Sequence, residues 1–375
     1  MTTRTAPTRT ARAVVLASAT LTIMAAAIIA PSLPAMGEVY GEGVLIRLAL
    51  TITSLAIAVS APAAGLLADK TGRKPLLTAS LALYAAGGTA GYFVTNLPLL
   101  LTTRAVLGLA VGGIMTAVSA LIADWFEGKE RGKFLGYQQA AASLGGVVFL
   151  PLAGVLAAQD WRLPFWLYSA AALIAAAAAT GLKNERPPSR TKTTGPFPKQ
   201  ALGIYAMALT ATLIFYMAPT QLPFLLKSMN ATPTTIGIVI AGSTASSVVG
   251  ALLYPKLTTT HTTAISVGLL GAGWLVIGYA PNITTVTAGL LIGGLGVGLV
   301  VPNLNSTLAN LAEPAQRGRI LSGLVAGIFL GQFLSPLALE PVIQATGIAK
   351  AFAATGIATI AAGAALALTY KEKTA

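Results

Sequence analysis

Gly65-Leu66-Leu67-Ala68-Asp69-Lys70-Thr71-Gly72-Arg73-Lys74 joins two long apolar stretches. The turn carries an acid, a helix-breaking glycine and a cluster of bases, in a chain that otherwise holds few charges. Apolar residues make up 55% of the 375 and charged residues 9%, where a soluble domain carries about 25% charged residues. Such a chain is too apolar for soluble cores and reads as an all-α membrane protein. It has no cysteine, which excludes disulfides, thiol catalysis and thiolate metal sites. Its one histidine, His261, lies in a Thr-rich loop, which gives no basis for a histidine metal site or a catalytic triad. No G-x-x-x-x-G-K-[ST] phosphate loop occurs. An enzyme is not expected, and neither is a cofactor or a metal.

Runs long enough to cross a bilayer, about 20 residues each, can be drawn at 12–33, 43–67, 75–94, 98–122, 134–157, 163–182, 201–226, 235–255, 263–280, 285–310, 320–340 and 349–370. That makes twelve transmembrane helices. With the N-terminus in the cytoplasm, nineteen Lys and Arg fall in inner segments. Arg162, Lys227 and Lys350 fall in outer loops, and Arg47 and Arg104 inside spans. The positive-inside rule then fixes a multi-pass topology in the plasma or bacterial inner membrane with both termini cytoplasmic. The net charge of +13 is topological, and nucleic acid is not an expected partner. The first apolar run is too long for the h-region of a signal peptide and reads as an uncleaved first helix.

Residues 183–200 are polar, basic and Pro-rich, and Pro187-Pro188 excludes a continuous helix. They read as a cytoplasmic linker between a six-helix bundle at 1–182 and a second at 201–375. The halves repeat. Gly108 and Gly112 recur as Gly294 and Gly298, Arg131-Gly132-Lys133 as Arg317-Gly318-Arg319, and Leu144-Gly145 as Leu330-Gly331, all at one offset; Pro151 is echoed one residue out of step by Pro336. A duplicated unit of this kind implies pseudo-symmetric bundles with a ligand site at their interface.

The string GLLADKTGRK matches G-x-x-x-D-[RK]-x-G-[RK]-[RK] and resembles the loop between helices 2 and 3 of the major facilitator superfamily of transporters. RAVLGLAVGG, from Arg104, resembles that family's helix-4 motif R-x-x-x-G-x-x-x-G, with Leu107 where many relatives carry glutamine. In the fifth span Gly145, Gly146, Pro151 and Gly154 partly match the exporter pattern G-x-x-x-G-P-x-x-G-G, with Leu150 in place of a glycine. Asp160-Trp161-Arg162-Leu163-Pro164-Phe165-Trp166 is similar to the segment that opens helix 6. In appearance the chain is closest to bacterial twelve-helix drug:proton antiporters.

The resemblance implies that Gly65, Asp69, Gly72, Arg73 and Lys74 form a conformational latch. Gly65 would allow close helix approach. Asp69 would cap a helix N-terminus near Gly318–Ser322, and Arg73 would pair with Asp69, Asp124 or Glu127. The second half has Gly250-Ala251-Leu252-Leu253-Tyr254-Pro255-Lys256-Leu257 instead and lacks the charges. Arg104 is associated in the family with proton coupling. An arginine inside a span either faces a partner or cavity or snorkels to the interface. Glu38, Glu42 and Glu340, the last read as closing helix 11, are its candidate partners. Arg47 reads as snorkelling, with Glu38 or Glu42 near. No acid falls at mid-span of helices 1, 4, 7 or 10.

Met24, Met115, Gln138, Gln139, Tyr216, Gln221, Asn303, Asn305, Phe329 and Gln332 are the candidate cavity residues. Each either contacts a ligand or bonds between helices. Such a set suits a lipophilic small molecule better than a sugar. The implied function is proton-coupled efflux of lipophilic small molecules by alternating access. Uptake of a small organic anion and lipid flipping are the alternatives. The expected partners are a small-molecule substrate, a proton or other coupling ion, and membrane lipids; the expected state is a monomer.

Overall fold

The structure, a computed structural model, describes residues 7–41, 43–183, 198–257, 259, 261–311 and 317–369, without the side chains of Pro62, Arg317, Gly318 and Arg319. Glu42 and most of the linker lie outside the described residues. The chain divides into two compact units, 1–190 and 191–375, and the described elements are helical.

The first unit holds α1 (Arg9–Ala27), a 3-10 turn at Ala30–Ser32, α2 (Leu33–Tyr40), α3 (Val44–Thr71), α4 (Arg73–Ala90), α5 (Leu97–Trp125) and α6 (Gly128–Ala157). A 3-10 stretch, Leu163–Ser169, leads into α7 (Ala170–Gly181). In the second unit are α8 (Gln200–Phe215), α9 (Met217–Ser228), α10 (Pro233–Leu253), a 3-10 turn at Tyr254–Lys256, α11 (Thr262–Gly278), α12 (Ile283–Leu311), α13 (Arg317–Thr346) and α14 (Ile348–Thr369). Among the described residues ten helical segments are long and apolar enough to cross a membrane; α11 is a shorter apolar helix, and α4 has 18 residues.

Two spans expected as single helices are broken. Pro31 and Pro34 have no N–H to give and clash with the preceding turn. Regular bonding of α1 therefore stops at Ile28, which donates to Met24 O at 3.1 Å, and a 3-10 turn intervenes in which Ser32 N donates to Ile29 O at 3.0 Å. The helix then resumes as α2 and runs to Tyr40, seven residues beyond the expected end at 33. In the seventh span Tyr216 separates α8 from α9, with Pro219 and Pro223 following. Lipid cannot satisfy the carbonyls near such breaks. Other helices supply the donors. Tyr168 Oη donates to Ala25 O at 2.8 Å and Trp274 Nε1 to Ile214 O at 3.0 Å; Tyr84 Oη also donates to Leu21 O at 2.8 Å, within the regular part of α1. All three aromatics are fully buried.

The sequence repeat has a shared packing basis. In the first unit α5 packs on α3, and in the second α12 packs on α10. A Cβ on Gly108 would strike the Thr53 carbonyl oxygen; one on Gly294 would lie 2.8 Å from that of Ser243. Gly112 and Gly298 meet the same neighbouring helices one turn on, and Gly145 and Gly331 press on the Thr20 and Leu209 carbonyls. Backbone-on-backbone approach of this kind admits only glycine, and dispersion is what holds helices together once they are in lipid.

Gly65 departs from its expected role. A Cβ there would meet no atom within 4 Å, so no close helix approach depends on it. Gly108→Val is accordingly expected to lower the thermal midpoint in detergent by several degrees, by forcing α3 and α5 apart, whereas Gly65→Ala leaves it unchanged or raises it slightly, alanine being the better helix former. Equal losses in a detergent melting assay would overturn the distinction.

Candidate functional site

Gly72 decides the geometry of the first loop. It is the single residue between α3 and α4, and its φ of 99° lies where L side chains are strained. The reversal makes Arg73 the first residue of α4 and turns its side chain back on the end of α3. Arg73 Nη1 donates to Ala68 O at 2.8 Å and to Asp69 Oδ1 at 3.0 Å, and Nε donates to Asp124 Oδ2 at 3.2 Å. Asp124 lies in the last turn of α5. One guanidinium therefore ties the ends of three helices. It is 4% exposed, against 22% for Asp124 and 47% for Asp69. Both acids keep contact with solvent, which limits the desolvation cost of the cluster. Lys74 is half-buried. The Gly318–Arg319 side chains implied as neighbours of Asp69 lie outside the description.

Arg104 is fully buried in α5 and does not snorkel. Its Nη2 donates to Gly88 O at 2.9 Å and Gly87 O at 3.4 Å, both on α4. Its guanidinium lies 4.8 Å from the Phe165 ring centre and 4.9 Å from that of Tyr168. A Cβ on Gly88 would strike Tyr168 and one on Gly91 would strike Phe165, so these glycines make the room. Among the described residues no carboxylate pairs with it. Carbonyl dipoles and ring faces stand in for the counter-charge. Tyr168 and Tyr84 were not singled out from the sequence, and Phe165 only as part of the segment that opens helix 6. Their signal is two aromatics three residues apart beside an intramembrane arginine.

Arg47, in the first turn of α3, is also buried and is not a snorkelling residue. The reason is the extension of the first span: α2 packs against α3 and covers its start. Glu38 is exposed. Glu340 is half-buried and accepts from Gln344 Nε2 at 3.1 Å. It does not close its helix, because α13 continues to Thr346.

The cavity candidates separate by what their polar atoms already do. Asn303 donates through Nδ2 to Thr263 Oγ1 at 2.8 Å and accepts from Tyr254 Oη at 3.3 Å. Asn305 folds back on its own helix, donating to Val301 O at 2.9 Å. Met24 is fully buried; Met115, Gln138, Tyr216, Phe329 and Gln332 are half-buried; Gln139 is exposed. Gln221, in α9 just past the break, is fully buried, and neither end of its amide has a partner. An apolar crevice in the second unit is lined by Ala208, Ala211, Thr212, Val300, Leu304 and Ile328.

These features define a polytopic helical membrane protein made of two helical units. The model of the Major Facilitator Superfamily matches residues 15–204 and 204–375, and the chain belongs to that family. Over 181 residues it is 34% identical to the minor myo-inositol transporter IolF of Bacillus subtilis, covering 48% of this chain and 40% of that protein. Over 227 residues it is 29% identical to multidrug resistance protein 1 of the same organism, covering 58% of each. The chain thus spans roughly two to three fifths of these relatives. The inward-open xylose transporter XylE from E. coli superposes with a TM-score of 0.79 at 14% identity, over 97% of this chain and 96% of that one. At that identity the likeness is one of fold.

Arg73→Ala is expected to cost about 1–3 kcal/mol of stability, because it leaves a partly buried Asp124 and the Ala68 carbonyl without their donor. Asp69→Asn, at a half-exposed position, should cost less than about 1 kcal/mol. Denaturant titration of the purified variants compares the two, and an equal cost would contradict the tie described.

Proposed function

We propose that this chain is a twelve-helix secondary transporter that exports lipophilic small molecules in exchange for protons, by alternating access, with both termini cytoplasmic. On this reading α4 and α11 are the two further spans, and the broken first and seventh spans each count once. The chain acts as a monomer, with 183–200 linking bundles at 1–182 and 201–375.

The observation that carries the lipophilic part is how few candidate polar groups remain uncommitted. Asn303 and Asn305 spend their amides inside the protein. A sugar would need many free hydrogen-bonding groups; a lipophile needs apolar area and one or two orienting contacts. Gln221 supplies one. An unpartnered buried amide costs about 1–3 kcal/mol, a cost that a ligand bonded to it would offset. The break beside it fits, since interrupted helices at corresponding positions of two repeats mark binding sites in many transporters. The partial exporter pattern at Gly145–Gly154 and the multidrug relatives support the outward direction. Anion uptake would need an open arginine, and Arg104 and Arg47 are both buried.

The latch function of Gly65, Asp69, Gly72, Arg73 and Lys74 belongs to the same proposal. Arg73 holds the ends of α3, α4 and α5 as one body, and a tie that breaks and reforms would gate that end. The coupling acid is one of Glu38, Glu42 and Glu340, acting with Arg104 or Arg47.

Proteoliposomes with an imposed pH gradient, loaded with a panel of lipophilic dyes, organic anions and inositol, test the reading. Gradient-driven dye movement is the expected result; movement of anions or inositol without dyes would overturn it. Gln221→Leu should leave the thermal midpoint unchanged or raised and increase the KM for the dye about tenfold, which is one hydrogen bond's worth. An unchanged KM would remove Gln221 from the site.

A further inference from the structure

The second unit lacks the charged loop, yet the corresponding ends of its helices are tied together. Tyr254, in the 3-10 turn after α10, donates to Asn303 Oδ1 at 3.3 Å; Asn303 Nδ2, on α12, donates to Thr263 Oγ1 at 2.8 Å, in the first turn of α11. One central side chain thus joins the end of one helix, the start of the next and the body of the third. Arg73 does the same in the first unit for α3, α4 and α5. The chemistry differs. The first tie is a guanidinium between two carboxylates. The second is an amide between two hydroxyls, with no charge.

Depth follows from that difference. Asp124 is one residue from the end of α5, whereas Asn303 is eight residues from the end of α12, about 10 Å further along its helix at 1.5 Å per residue. The carboxylates of the charged tie remain 47% and 22% exposed. Asn303 is 3% exposed and Thr263 2%. A carboxylate buried to that degree would bear a large desolvation cost, whereas a paired amide and hydroxyl bear little. Asn303 also follows Pro302 inside α12, where the ladder has already lost one backbone donor. Its carbonyl accepts from Thr307 Oγ1 at 2.9 Å, which reinforces the helix just past that gap.

We propose that Asn303 is a positioning residue for transport: it holds α10, α11 and α12 in register through Tyr254 and Thr263, as a charge-free counterpart of the Arg73 tie, and does not contact the substrate. The proposal rests on the transporter reading only for its kinetic consequence. The tie itself is readable in a protein that transports nothing.

Two measurements test it. Thermal unfolding of the purified full chain is followed for Asn303→Ala, Tyr254→Phe and the double variant, at low and high salt. The losses should be non-additive, because Tyr254→Phe removes a bond that Asn303→Ala has already broken. The coupling should hold at both salt concentrations, whereas that between Arg73→Ala and Asp124→Ala should shrink at high salt. Additive losses, or a coupling that salt abolishes, would overturn the tie. In the proteoliposome assay, Asn303→Ala and Thr263→Val should lower kcat about tenfold, with KM changed less than twofold, as expected of a residue that acts on a conformational step. A tenfold rise in KM at constant kcat would make Asn303 a ligand contact and overturn the proposal. Absence of transport by the wild-type chain would fail the transporter reading and leave the unfolding cycle to decide the tie.

Discussion

In hydrocarbon a backbone carbonyl without a donor has no water to turn to, and this protein is organised around that constraint. Both first spans of its units are interrupted by proline. Each interruption strands polar backbone in an apolar layer at a cost of several kcal/mol per group. The fold is possible because aromatic donors from other helices reach in, Tyr84 and Tyr168 to α1 and Trp274 to α8. Each bond is a single side-chain contact from an aromatic to a carbonyl of the interrupted span. Arg104 belongs to the same system. Its Nη2 is held by the carbonyls of Gly87 and Gly88, its guanidinium lies against the rings of Phe165 and Tyr168 while Nε and Nη1 have no hydrogen-bond partner, and Tyr168 in turn holds Ala25. A residue that reads as a carrier of charge is thus lodged where it fastens helices.

The placement of charge obeys the same arithmetic. A carboxylate keeps its charge cheaply only where water can reach it, so the Arg73 cluster sits at the ends of its helices with both acids partly wet. At Asn303, further along its helix, the tie is an amide bonded to two hydroxyls.

Much of this was legible in the chain. The break at Gly72 follows from residue type, and the pairing of Arg73 with Asp69, Asp124 or Glu127 is what the family resemblance implies. The recurrence of Gly108, Gly112 and Gly145 at one offset points to repeated close packing, because only glycine tolerates a neighbouring carbonyl at that distance. The breaks at Ile28–Ser32 and at Tyr216 were less visible. Hydropathy averages over them, and the apolar runs continue through Pro31, Pro34, Pro219 and Pro223. The burial of Arg47 and the partners of Arg104 were not legible at all. Both depend on which helix lies alongside, and no local pattern encodes that. Gly65 erred the other way: its place in a recognisable motif suggested packing, but the space beside it is open.

The two units also separate what duplication preserves from what it frees. The backbone approaches have survived, since any side chain at Gly108 or Gly294 collides with main chain, which has nowhere to move. The ties between helix ends differ in chemistry: a guanidinium with two carboxylates in one unit and an amide with two hydroxyls in the other. A tie needs only matched donors and acceptors, and many sets satisfy that. Conservation of geometry with turnover of side-chain chemistry is therefore the expected outcome when one requirement is steric and the other is only the pairing of polar groups. A repeat of this kind can give its halves different sensitivities to salt while keeping the same helix packing.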